Sequence, residues 1–172
     1  MRPDEPGQAL PHGHGFPYLL VSLAVLAGDQ ASKVVAHARL RPLGTVPVIP
    51  GWFDLTFVAN RGALFGLGRE FGPALRTLAF AFLPAVAVVF LAALLWRSRR
   101  REAGFQGGLA LILGGAAGNL LDRIRLGFVT DFLDFYWGTH HWPAFNLADA
   151  SICVGVGLLG LDLLRDRRSA SG

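Results

Sequence analysis

Four stretches of this chain, residues 17–37, 74–96, 104–122 and 147–164, are long and apolar enough to cross a membrane. At ~1.5 Å rise per residue, about 20 helical residues traverse a ~30 Å hydrocarbon core. Hydrocarbon offers a backbone no hydrogen-bond partner, so each stretch must satisfy its own N–H and C=O groups as a helix. Composition points the same way, since 52% hydrophobic against 16% charged is too oily for an ordinary soluble domain of 172 residues. The expected architecture is therefore an all-α membrane protein with four transmembrane helices.

The net charge of +4 comes almost entirely from arginines, several of them beside apolar runs. Such clusters suit a membrane face, and no basic stripe interleaves with stacking aromatics as a nucleic-acid groove requires. No nucleic-acid partner is expected. Cys153 is the single cysteine and lies inside an apolar run. That excludes a disulfide framework and predicts a buried small hydrophobe.

Residues 1–16 are rich in Pro, Gly, His and charge and read as a disordered tail. His12 and His14 within it are expected to be solvated rather than ligating. The segment 17–37 has neither a preceding cluster of positive charge nor a following small-residue cleavage site, so it reads as a membrane helix rather than a signal peptide. Near its end Asp29 and Lys33 stand four apart, on one helical face, where they can pair. Residues 38–73 are rich in β-branched and aromatic residues with turn-formers between, predicting short strands outside the membrane, a small sheet at approximately 40–72. Asn60-Arg61-Gly62-Ala63-Leu64-Phe65-Gly66 follows; its glycines suit a loop against a ligand or a plain tight turn. Pro84, near the middle of the second span, predicts a kink. In the third span Gly114 and Gly118 form a small-xxx-small pair that places it at the bundle centre. Residues 17–168 are thus expected to form one membrane-embedded domain, with 169–172 a short tail.

Four spans return both ends of the chain to one side of the membrane. Basic residues divide evenly, eight on each side, but Arg97, Arg99, Arg100 and Arg101, with Arg165, Arg167 and Arg168, are packed beside helix ends. Dense clusters in short loops dominate orientation, which puts both termini in the cytoplasm. Asp29, Lys33, Asn60, Asn119, Asp122, Arg123, Asp131, Asn146 and Asp149 then all fall at the outer interface. Ionisable groups at the edge of a hydrophobic segment are costly, and separate segments sending theirs to one level points to a site.

Asn119, Asp122 and Arg123 share one face at the end of the third helix. Asp122 beside Arg123 reads as structural. Asn146 and Asp149 are spaced as an N-cap and the third helical residue, so a capping box would explain both without chemistry. Capping does not explain Asp131, the other acid of the same layer. With no serine–histidine arrangement, no ligand cluster and no phosphate loop, acid–base chemistry with water is the simplest enzymatic option. Two close aspartates share one proton. The ionised member would take a proton from water while the other donates one, with Asn and Arg side chains holding the pair and stabilising an oxyanion. A helix N-terminus favours the charge on Asp149. Adjacent His140 and His141 suit a surface loop, and Ser32 a helix-lining hydroxyl.

The blocks Asp29-Gln-Ala-Ser-Lys33, Asn60-Arg-Gly-Ala-Leu-Phe-Gly66, Gly114-Gly-Ala-Ala-Gly-Asn-Leu-Leu-Asp-Arg123, Gly127-Phe-Val-Thr-Asp-Phe132 and Phe145-Asn-Leu-Ala-Asp-Ala150, in this order, resemble the lipoprotein signal peptidases (signal peptidase II), aspartyl proteases of bacterial inner membranes. The resemblance covers roughly residues 17–165. It implies four transmembrane helices, a small extracytoplasmic β-cradle and a short outer helix within 132–145. The implied substrate is a prolipoprotein carrying diacylglycerol on its lipobox cysteine, cut just before that cysteine to release the signal peptide. Asp131 and Asp149 would be the catalytic pair. Asp29, Lys33, Asn60, Gly62, Asn119, Arg123 and Asn146 would support the dyad or contact substrate, and Asp122 would be structural. No metal or organic cofactor is implied, the enzyme would work as a monomer among membrane lipids, and globomycin-type peptides would inhibit it. The competing expectation is a non-enzymatic four-helix carrier or scaffold. A carrier would usually show an internal repeat and midplane charges, and the sequence has neither.

Overall fold

The computed structural model describes residues 16–62, 72, 75, 78–98 and 103–170, the side chains of 78 and 166–170 excepted. The tail 1–15, Gly66 and the loop around it, and Arg99 to Arg101 lie outside the described residues. In chain order the elements are α1 (Phe16–Leu43), β1 (Val46–Ile49), β2 (Phe53–Asn60), α2 (Leu83–Arg97), α3 (Ala103–Leu126), β3 (Val129–Trp137), β4 (His140–His141) and α4 (Leu147–Ala170). Four helical stretches, Phe16–Leu43, Ala79–Arg97, Ala103–Leu126 and Leu147–Arg165, are long and apolar enough to span a bilayer.

The helices pack inside-out relative to a soluble bundle. The buried residues of α1 are Ser22, Asp29, Lys33, Ala36 and Leu40, a stripe at three-, four- and seven-residue spacing. Its exposed positions include Leu20, Val21, Leu23, Val34 and Val35. Lipid tails solvate aliphatic side chains as well as a protein core does, so polar groups are the ones driven inward. α3 is the central helix, buried along its length from Gln106 to Asp122. A Cβ at Gly114 would collide with Val25 and the Ser22 carbonyl, and one at Gly118 with the Asp29 carboxylate. The small residues thus let α1 close on α3, as expected. Cys153 is a correction: it is exposed on α4, on a surface that lipid would cover.

Three boundaries differ from the sequence expectation. α1 continues six residues past 37, to Leu43, so residues 38–43 are helical and the sheet begins at Val46. The extension keeps Leu40 on the buried stripe against Phe132, and the Gly44 N–H closes the end on the Leu40 carbonyl. The kink expected at Pro84 appears as a π-helical turn, Leu78–Phe82, with Pro84 at the first positions of α2. A proline has no N–H and its ring clashes with the preceding turn, which the wider turn relieves. The short outer helix expected within 132–145 is not formed there: those residues continue β3, make β4 and return as irregular chain to a single bridge at Phe145. Phe145 exchanges backbone hydrogen bonds with Leu133, so a sheet partner overrides any local helical tendency.

The four strands form one antiparallel sheet in the order β1-β2-β3-β4. One face of β3 packs on the end of α1, Phe132 against Ala36 and Leu40, and Thr130 Oγ1 2.8 Å from His37 Nε2. Side chains alternate along a strand, so Asp131, between them, points to the opposite face.

Candidate active site

Asp131 projects from β3 with 1% of its surface exposed. Asn146 Nδ2 donates to its Oδ1 at 2.6 Å, and Asn60 Nδ2 donates to its Oδ2 at 2.9 Å. Asn60 reaches it because Val58 pairs with Asp131 across β2–β3, placing Asn60 diagonally opposite on the same face. The Asn60 amide is itself oriented: the Gly62 N–H donates to its Oδ1 at 3.0 Å, leaving only the NH2 end for Asp131. Gly62 has φ +84°, and a Cβ there would overlap the Phe80 ring. Only glycine fits that turn without strain.

Asp149 sits in the first turn of α4. Asn119 Nδ2 donates to its Oδ1 at 2.7 Å and the Asn146 N–H to its Oδ2 at 3.3 Å, while the Asp149 N–H donates back to Asn146 Oδ1 at 3.0 Å. That reciprocal pattern is the capping box expected from spacing. It does not exhaust Asn146, whose Nδ2 bridges Asp131 and Asn119 Oδ1, the latter at 3.2 Å. One asparagine therefore caps α4 and ties Asp149 to Asp131. The capping explanation and the chemical one describe the same residue.

Behind the two acids lies a buried ionic layer. Lys33 Nζ spends its three protons on Asp29 Oδ2 at 2.9 Å, Asp122 Oδ2 at 3.1 Å and Asn119 Oδ1 at 3.0 Å. Asp29 also accepts the Ala148 N–H of α4 at 3.0 Å, and Asp122 accepts the Thr130 N–H at 3.0 Å. The layer thus joins α1, α3 and α4 to the residue preceding Asp131. Desolvated charges persist only when paired and fully hydrogen-bonded, and this set meets that demand.

Burial, then the neighbouring charge of Asp149, pushes the Asp131 carboxyl above the usual carboxylate range to about 6, against the opposing pull of the hydrogen bonds from Asn60 and Asn146 and the Lys33 charge. An acid half-protonated near that pH can both hold and give a proton.

Asp29, Lys33, Asn60, Gly62, Asn119, Asp122, Asp131, Asn146 and Asp149 are thus brought into one network. Arg123 stands at its edge: it lies in the field of Asp149 and Asp131, and its guanidinium donates to the Asn119 carbonyl at 3.3 Å. Asp122 takes Lys33 as its ion-pair partner, not its neighbour Arg123. Ser32 donates to the Asp29 carbonyl at 2.7 Å, a helix hydroxyl as expected. His141 faces Asp134 at 3.0 Å on the exposed sheet, and the described residues contain no group of three or more potential metal ligands. Sequence inspection missed Gln30, which donates to Asp122 at 3.0 Å, and the His37–Thr130 contact. Asp29, Lys33 and His37 recur every four residues, a stripe that would have flagged the histidine.

A family profile described as signal peptidase (SPase) II matches residues 21–165. A lipoprotein signal peptidase of Geobacter metallireducens is 44% identical over 157 residues, 90% of this chain and 94% of that protein. One of Solibacter usitatus is 43% identical, over 88% and 92%. Two solved structures described as a bacterial membrane enzyme superpose with TM-scores of 0.75 and 0.76 at 25% identity, covering 93% and 92% of this chain and 94% and 99% of theirs. Likeness of this extent in sequence, fold and span order has one meaning: the chain belongs to the signal peptidase II family.

Proposed function

We propose that this protein is an aspartic endopeptidase that removes the signal peptide from diacylglyceryl-modified prolipoproteins, cutting just before the lipidated cysteine, with Asp131 and Asp149 as its catalytic pair. The observation that carries the assignment is Asn146, which holds one acid by its side-chain amide and the other by its backbone and carbonyl oxygen. In this reading Asp149, at a helix N-terminus, carries the charge and Asp131 the proton. Asp149 takes a proton from water as its oxygen attacks the scissile carbonyl, and Asp131 protonates the carbonyl oxygen. On collapse of the tetrahedral diol, Asp149 hands its proton to the leaving amine and Asp131 recovers one from the diol. Asn119 and Asn60 keep the pair in register, Arg123 offers positive charge at the rim, and Lys33, Asp29 and Asp122 fix the scaffold.

The site lies at the outer leaflet of the inner membrane with both termini cytoplasmic, a placement supported by the arginine clusters beside the opposite helix ends. A diacylated cysteine sits in the bilayer with its peptide at the interface, so acids cutting beside it belong at that depth. Globomycin-type peptides would compete for the same site, and the enzyme would act as a monomer.

Asp131→Asn and Asp149→Asn should each abolish cleavage of a purified lipidated precursor, while thermal unfolding in nanodiscs remains cooperative. Robust cleavage by either folded variant removes that residue from the pair.

A further inference from the structure

Far from the acids, the sheet ends in a cluster that the chemistry above does not use. Trp52, Trp137 and Trp142 are 54%, 72% and 69% exposed. Trp52 lies in the β1–β2 connection, Trp137 ends β3 and Trp142 follows β4. The Trp52 and Trp137 rings are 5.2 Å apart, the Tyr136 N–H donates to the Trp52 carbonyl at 2.9 Å, and the Trp142 N–H to the Phe135 carbonyl at 2.8 Å. Both connections therefore meet at one tip. Val48 and Ile49 are exposed beside it.

Residues 46–53 and 135–145 contain no Asp, Glu, Lys or Arg, and the two carboxylates that flank them, Asp54 and Asp134, are taken by the Tyr136 hydroxyl and by His141. A monomer in water rarely leaves a contiguous apolar patch of this kind uncovered. Tryptophan joins a large apolar ring to one N–H donor, the combination that collects at the boundary between acyl chains and headgroups. The uncharged surface also runs back to the end of a span. Leu43 at the end of α1 is exposed, and so are Val48, Ile49 and Trp52 that follow it in a stretch, residues 42–53, without a charged side chain; exposed Arg39 and Arg41 separate this stretch from Val34 and Val35. A peptide-binding surface would be expected to offer charged or unpaired polar groups, and at the tip His141 is already paired with Asp134, with His140 exposed beside it.

We propose that this tip is seated in the headgroup–acyl boundary of the bilayer, with phospholipid as its occupant, as a further anchor besides the four spans. From Asp131 to Trp137 the strand covers about 20 Å at ~3.3 Å per residue. A seated tip therefore lays β3 along the membrane surface and holds Asp131 at constant depth. The inference stands on the spans and the sheet, independently of the peptidase assignment.

The test is tryptophan fluorescence of the full chain in phosphatidylcholine nanodiscs. Trp96→Phe leaves the three tip tryptophans as the only emitters of a chain with four. Lipids brominated near the headgroup should quench this emission more than lipids brominated near the chain end, and aqueous acrylamide should quench it weakly. If Trp96→Phe does not fold, Trp52→Phe/Trp137→Phe/Trp142→Phe gives the Trp96 contribution, which is subtracted from the native signal. Strong acrylamide quenching with no effect of brominated lipid overturns the proposal. So does shielding that arises only when a lipidated precursor is added, which would make the tip a peptide surface.

Discussion

Asn60 is the most direct handle on the proton of Asp131. Its amide donates to a carboxylate oxygen at 2.9 Å, and its own oxygen is committed to the Gly62 N–H. It therefore stabilises the ionised form and opposes the burial that pushes this carboxyl to about 6. A hydrogen bond to a charged group contributes ~1.5–3 kcal/mol, and 1.36 kcal/mol corresponds to one pH unit. In Asn60→Ala the carboxyl should move further up, by about one to two units. The assay is kcat/KM against pH for a lipidated fluorogenic precursor in nanodiscs, which reports the free enzyme's essential acid. Native activity should fall above a pH of about 6, as the proton shared by the pair is lost. In Asn60→Ala that alkaline limb should shift to higher pH, even though the maximum drops as Asp131 becomes less constrained. A limb that stays in place, or moves down, refutes the assignment of the titrating proton to Asp131.

Lys33 is the ionic layer's keystone: Lys33→Met leaves two carboxylates, Asp29 and Asp122, 0% and 3% exposed, without their cation. Breaking a buried pair costs about 3–5 kcal/mol, which at ~2–4 °C per kcal/mol for a chain of this size lowers Tm by roughly 6–20 °C. Asp122→Asn in the same background should recover part of it, and an unchanged Tm in nanodiscs contradicts the layer's structural role. Asp131 also predicts a stability profile. Its folded value is raised from 3.8 to about 6, so the native state binds this proton more tightly than the unfolded chain. The associated stability is fully present below pH ~4 and declines by about 3 kcal/mol as pH rises to ~6. The Tm difference between native protein and Asp131→Asn should therefore drift in the variant's favour across that interval; a constant offset shows that Asp131 does not titrate there.

What could be read from the chain alone was whatever depends on local composition and period. Span length follows from residue count against bilayer thickness, and the capping box of Asn146 and Asp149 from a three-residue spacing, because both are one-dimensional properties. The Asp29–Lys33 pair was equally legible, since four residues is one helical turn. The segment 132–145 was not. Its fate as strands was decided by β2 on one side of β3 and the returning Phe145 on the other, partners distant in sequence. Likewise Asp122 chose Lys33 over the adjacent Arg123, because α1 and α3 close over Gly118 and bury that ammonium between two carboxylates. Sequence determined that this is a four-span membrane protein carrying a polar layer at one depth. Only the tertiary structure decided that Asn146 joins the two acids and that Trp52 meets Trp137 across two distant connections, because hydrogen bonds and ring contacts act over a few ångströms and register depends on packing between distant segments.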